Sequence, residues 1–135
     1  MEDNELQQKY LELQMLDAQI REIENQLVAV ENQVAELNNI NRALDELPSS
    51  KVGCDLFVPL SQGIFVKAKL AENDSLLVNV GSGVAVKKSI PDAKQMIVEQ
   101  LAAMKDLRVN LTANIENFVL RARLIEKELI GSQNV

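Results

Sequence analysis

Apolar residues return at alternating three- and four-residue spacings through both outer thirds of this 135-residue chain, and that pattern limits what it can fold into. Leu6, Leu13, Ile20, Leu27 and Val34 recur every seven residues, with Asn41 next in the series. Leu16, Ile23, Val30, Leu37 and Leu44 form a second series offset by three. Together they are the a and d positions of a coiled-coil seam about five heptads long. Leu47-Pro48-Ser49-Ser50 stops this helix, because proline cannot continue it and disfavours helix just before itself. In the last third Ile90, Ile97, Met104, Leu111, Phe118 and Ile125 repeat the seven-residue period. Leu101, Ile115, Ala122 and Leu129 fill the partner series, which Arg108 interrupts once. Ser89-Ile90-Pro91-Asp92 is a start signal, with a Ser cap, Pro in the first turn and an acid after it. Gly131 is the expected stop.

The middle has another period. Leu56–Leu60, Ile64–Leu70, Leu76–Val80 and Val84–Lys87 are short β-branched runs, separated by Ser61-Gln62-Gly63 and Gly81-Ser82-Gly83 and linked by Ala71-Glu72-Asn73-Asp74. In the second run Ile64, Val66, Ala68 and Leu70 share a face, opposite Phe65, Lys67 and Lys69.

A helix of more than 40 residues with one apolar stripe needs a partner in water. The shared β junction lets the two helices fold back on each other, so the expected class is α+β, mostly α. This is a long antiparallel two-helix coiled coil joined by two β-hairpins. One domain over residues 1–135 is expected: a helix over 1–47, hairpins over 54–88 and a helix over 89–131. The antiparallel sense sets Glu2, Asp3, Glu5 and Glu12 against Arg121, Arg123 and Lys127. Two short hairpins have little core of their own and expose strand edges, so the β region is expected to complete itself against other subunits. Both chain termini then lie at the tips of the coiled coil. There Leu6, Tyr10, Leu11 and Leu13 meet Leu124, Ile125, Leu129 and Ile130, more apolar groups than one seam can hide.

Composition narrows the function. There is no His, which removes the commonest general base, histidine-dependent nucleophilic dyads and triads, and histidine-ligated zinc. The lone Cys54 has no partner base and is read as a small packing residue in a reducing compartment. Gly81-Ser82-Gly83 lacks the third glycine and following Lys of a phosphate loop, and a strand follows it, so it is read as a hairpin turn. No enzyme activity and no cofactor or metal is expected. Residues 1–47 hold eleven acids and three bases, a poor profile for nucleic acid or an anionic membrane surface. No apolar run reaches a membrane span and the acidic start is unlike a secretory leader, so a cytoplasmic location is expected.

The central residues carry a resemblance. Phe57-Val58-Pro59-Leu60, Gly63 and Phe65-Val66-Lys67-Ala68-Lys69-Leu70 resemble the α-class prefoldin signature of an apolar-Val-Pro stretch, a glycine turn and a strand. Val78-Asn79-Val80-Gly81-Ser82-Gly83, then Val86, Lys88 and Ser89, resemble its second hairpin and helix start. The resemblance covers essentially the whole chain, and two hairpins favour the α over the β class. It implies a hetero-hexamer of two α-class and four β-class subunits, whose β regions form barrels. Phe57, Val58, Leu60, Ile64, Val66, Leu70, Leu77, Val78, Val80 and Val86 would serve oligomerisation. It also implies an ATP-independent chaperone that holds unfolded polypeptides at the coiled-coil tips and passes them to a group II chaperonin. The alternative is a prefoldin-like scaffold that assembles with itself, up to filaments.

Overall fold

The computed structural model describes residues 2–133. In chain order it contains helix α1 (Asp3–Glu46), a 3-10 turn (Leu47–Ser49), strands β1 (Asp55–Ser61), β2 (Ile64–Lys69), β3 (Ser75–Gly81) and β4 (Val84–Ser89), and helix α2 (Ile90–Gln133). The residues fall into two compact units, Met1–Val34 with Ala102–Val135, and Ala35–Leu101.

The first unit is the heptad seam made solid. Leu16, Ala122, Ile125 and Leu129 form one buried cluster, with Leu6, Leu13, Ile20 and Phe118 packed against it. Ile23, Val30 and Leu111 form a second, flanked by Leu27, Val34, Met104 and Ile115. Ion pairs fix the antiparallel sense: Lys9 with Glu128, Glu12 with Arg121 at 3.7 Å, and Glu31 with Arg108 at 3.2 Å. Arg108 is the residue that interrupts the apolar series. The residue lies half-buried while its guanidinium reaches the Glu31 carboxylate on α1. The expected facing of acids and bases is realised in part. Arg121 meets Glu12, but Lys9 takes Glu128, and Arg123 and Lys127 have no ion-pair partner among the described residues. α2 does not stop at Gly131 but continues to Gln133. An interior glycine costs only about 1 kcal/mol, which penalises a helix without ending it.

The second unit holds the last turns of α1, the first of α2 and both hairpins. Leu37, Leu44, Ile90, Ala93 and Ile97 are its buried apolar residues. α1 ends where Pro48 enters the 3-10 turn, and the Ser49 hydroxyl donates to the Glu46 carbonyl at 2.7 Å. α2 begins where predicted, with the Asp92 amide donating to the Ser89 hydroxyl at 3.2 Å. Each hairpin is its own two-stranded antiparallel sheet. Asn73 fastens the linker between them, its amide donating to the Ser50 carbonyl at 2.9 Å.

The hairpins are two copies of one plan at an offset of twenty residues. Leu56, Val58, Leu60, Gly63, Val66 and Lys67 correspond to Leu76, Val78, Val80, Gly83, Val86 and Lys87. Both strand pairs slip at the same place, skipping Leu60 in one and Val80 in the other. The second turn has positive φ at Ser82 (52°) and Gly83 (72°), the two-residue geometry whose twist suits a hairpin. Glycine there avoids the strain a Cβ would bring.

Candidate functional site

Paired positions across a strand ladder share a face, so the register assigns every hairpin side chain to one of two surfaces. In the first hairpin Leu56 faces Ala68 and Val58 faces Val66, an apolar surface. The reverse surface pairs Asp55 with Lys69, Phe57 with Lys67 and Pro59 with Phe65. Asp55 lies 3.7 Å from Lys67 and 4.0 Å from Lys69. In the second hairpin Val78 faces Val86, while Leu77 shares the reverse surface with Lys87. The anticipated oligomerisation residues therefore divide. Val58, Val66, Val78 and Val86 lie on the valine-bearing surfaces, whereas Phe57 and Leu77, 69% and 74% exposed, lie on the lysine-bearing ones. Leu60 and Val80 sit at the slips and, with Ile64, are exposed; Leu70 is half-buried. Phe65 and Val84 are exposed as well and were absent from the sequence-based set, although their place beside Ile64 and Val86 marks them.

Between β3 and the helices of this unit runs an apolar groove of about 360 Å³, lined in part by Ile40, Leu44, Leu76, Met96 and Ile97. At the start of β3 the Ser75 hydroxyl donates to Glu72, and Lys87 sits 3.1 Å from the same carboxylate. The serine hydrogen bond and the lysine charge hold Glu72 below the ordinary glutamate range.

The eight residues anticipated at the tips also divide. Ile125 and Leu129 are buried in the seam, and Leu6 and Leu13 pack against it. Tyr10, Leu11, Leu124 and Ile130 are exposed, at 45%, 59%, 55% and 59%. Met15 (65%) and Leu120 (59%) join them, each one helical turn from an exposed leucine. The spacings Leu11–Met15 and Leu120–Leu124 were the signal that a reading centred on the heptads passes over. No described helix is long and apolar enough to cross a membrane.

Comparison with known proteins agrees with this arrangement. Residues 16–134 match the Prefoldin family, described as Prefoldin subunit. The prefoldin subunit alpha of Methanobrevibacter smithii is 34% identical over 82 residues, 61% of this chain and 56% of that one. The alignment thus spans little more than half of that relative's length. The prefoldin subunit alpha of Thermofilum pendens is 30% identical over 98 residues, 70% of this chain and 74% of that one. A chain in the cryo-EM structure of filamentous PFD from Methanocaldococcus jannaschii shares the fold, with a TM-score of 0.78 over 88% of this chain and 98% of that one, at 18% identity. With a heptad seam, a duplicated hairpin and alpha-subunit relatives in several archaea, the chain belongs to the prefoldin family and is of the archaeal alpha-subunit type.

Proposed function

We propose that this chain is a subunit of an ATP-independent chaperone that holds unfolded polypeptides on the terminal turns of its two helices. The observation that carries the reading is exposed aliphatic surface, Leu11, Leu124 and Ile130, beside a seam already filled by other residues. Single leucines bind weakly, but several helix ends in one assembly give avidity toward any disordered chain without a specific pocket. Assembly is through the hairpins: their valine faces and open edges accept β-class subunits in a hexamer of two α and four β chains. Held clients pass to a group II chaperonin, and the setting is the cytoplasm. No catalytic step enters this scheme, consistent with its family of non-enzymatic chaperones.

Aggregation of a denatured client in the presence of the assembled complex tests the reading. Replacing Leu11, Leu124 and Ile130 together with Ser should abolish suppression while leaving the mass of the complex unchanged. Full suppression by the triple variant would count against the helix ends as the holding surface.

The filament named for the Methanocaldococcus jannaschii neighbour favours a second reading, a scaffold that assembles with itself. Light scattering of the purified chain separates them. Long regular particles support the scaffold, and a small species that becomes a defined hexamer with a β-class subunit supports the chaperone.

A further inference from the structure

The last turns of α2 carry a pattern that seam packing does not require. Leu120, Arg123, Leu124, Lys127 and Ile130 stand at positions i, i+3, i+4, i+7 and i+10, which lie together on one side of a helix. The side facing α1 is taken by Phe118, Ala122, Ile125 and Leu129, so the five lie on the outer side. All five are exposed. Arg123 and Lys127 have no ion-pair partner among the described residues, whereas Arg121 is engaged by Glu12. Three carboxylates border the strip, Glu116 one turn before Leu120, Glu126 at its side and Glu128 one turn after Leu124; Glu128 is taken by Lys9, and none of the three is ion-paired to Arg123 or Lys127 among the described residues. The strip therefore alternates aliphatic and uncompensated cationic groups, in a chain of net charge −6 whose other helix is strongly acidic.

Resting on the holding function proposed above, we infer that this outer face of α2 takes one class of client segment, disordered polypeptide in which aliphatic side chains alternate with carboxylates. Charge complementarity selects that occupant. An aspartate- or glutamate-bearing segment is repelled by α1, and on α2 it finds Arg123 and Lys127 placed between the leucines it covers. Basic segments meet like charge at Arg123 and Lys127 and are disfavoured on this face.

Three fluorescent peptides of equal length and leucine content, interspersed with Glu, Ser or Lys, test this by anisotropy with the full chain assembled with its β-class partner. The expected order is Glu over Ser over Lys, with the Glu peptide preferred over the Ser peptide by roughly fivefold, the scale of two exposed ion pairs. The preference should vanish near 1 M salt, where charges more than about 3 Å apart are screened. Arg123→Glu with Lys127→Glu should invert the order, and Leu120→Ser with Leu124→Ser should weaken all three peptides. These are exposed positions, and an unchanged melting curve checks that the variants fold. Equal binding of the three peptides, or an order untouched by the charge reversal, overturns the inference while leaving the holding function in place. Absence of binding to any peptide overturns it too, and if client suppression also survives the Leu11, Leu124 and Ile130 variant, the holding function falls with it.

Discussion

Leu16 shows how much one side chain contributes to the seam. It is 4% exposed and sits among Ala122, Ile125 and Leu129, so Leu16→Ala opens a void on both helices at once. The expected loss is about 2–3 kcal/mol, the lower part of the range for buried leucine because a two-helix seam can partly collapse. Thermal denaturation followed by circular dichroism measures it. Gly83 is a different case: its neighbourhood is open, yet its φ of +72° makes any side chain strained. Gly83→Ala should cost the second hairpin about 1 kcal/mol, whereas Ser82→Asn, which tolerates the left-handed region, should leave it unchanged. At this scale the sequence spoke clearly wherever a residue's role is local, as at the Ser89 cap or the glycine turns. It misplaced Arg123 and Lys127, which it set against the acids of α1 and which have no ion-pair partner among the described residues. Which cations find carboxylates depends on the azimuth of each side chain, and a helical period gives that only to within one flank.

For the helices, Arg108 is the element-scale feature that repays a test. A polar residue in an apolar series fixes which turns of the partner helix it faces, at a cost in stability. Arg108→Leu should therefore raise the melting temperature, by the equivalent of about 1 kcal/mol, because the pair with Glu31 is exposed and worth little while the leucine would fill the seam. For the second hairpin the lever is pH. Glu72 is depressed by Ser75 and Lys87, so its contribution is present above the unfolded carboxylate range and is lost as pH falls through the lower, folded value. Acid titration of the native chain should show a destabilisation that Glu72→Gln lacks, read as a stability gap between wild type and variant that shrinks as pH falls. Both helices and all four strands were visible in the periods of three-and-four and of two. The hairpin duplication was visible too, at Leu56/Leu76, Val58/Val78 and Lys67/Lys87, but hides behind substitutions such as Phe57 to Leu77. The ladders made it plain because both slip at the equivalent residue.

For the molecule as a whole, no described side chain is sealed completely from solvent, and Val58, Val66 and Val86 on the valine faces of the hairpins are exposed. A lone chain should therefore unfold with a heat-capacity increment below the roughly 12–15 cal/mol/K per residue of ordinary globular domains, as calorimetry can establish. Its midpoint should also climb as a β-class partner is added, since a partner that covers the valines binds only the folded form. A subunit left without the partners that cover its valine faces should therefore be the least durable form of itself, unfolding before the assembled one.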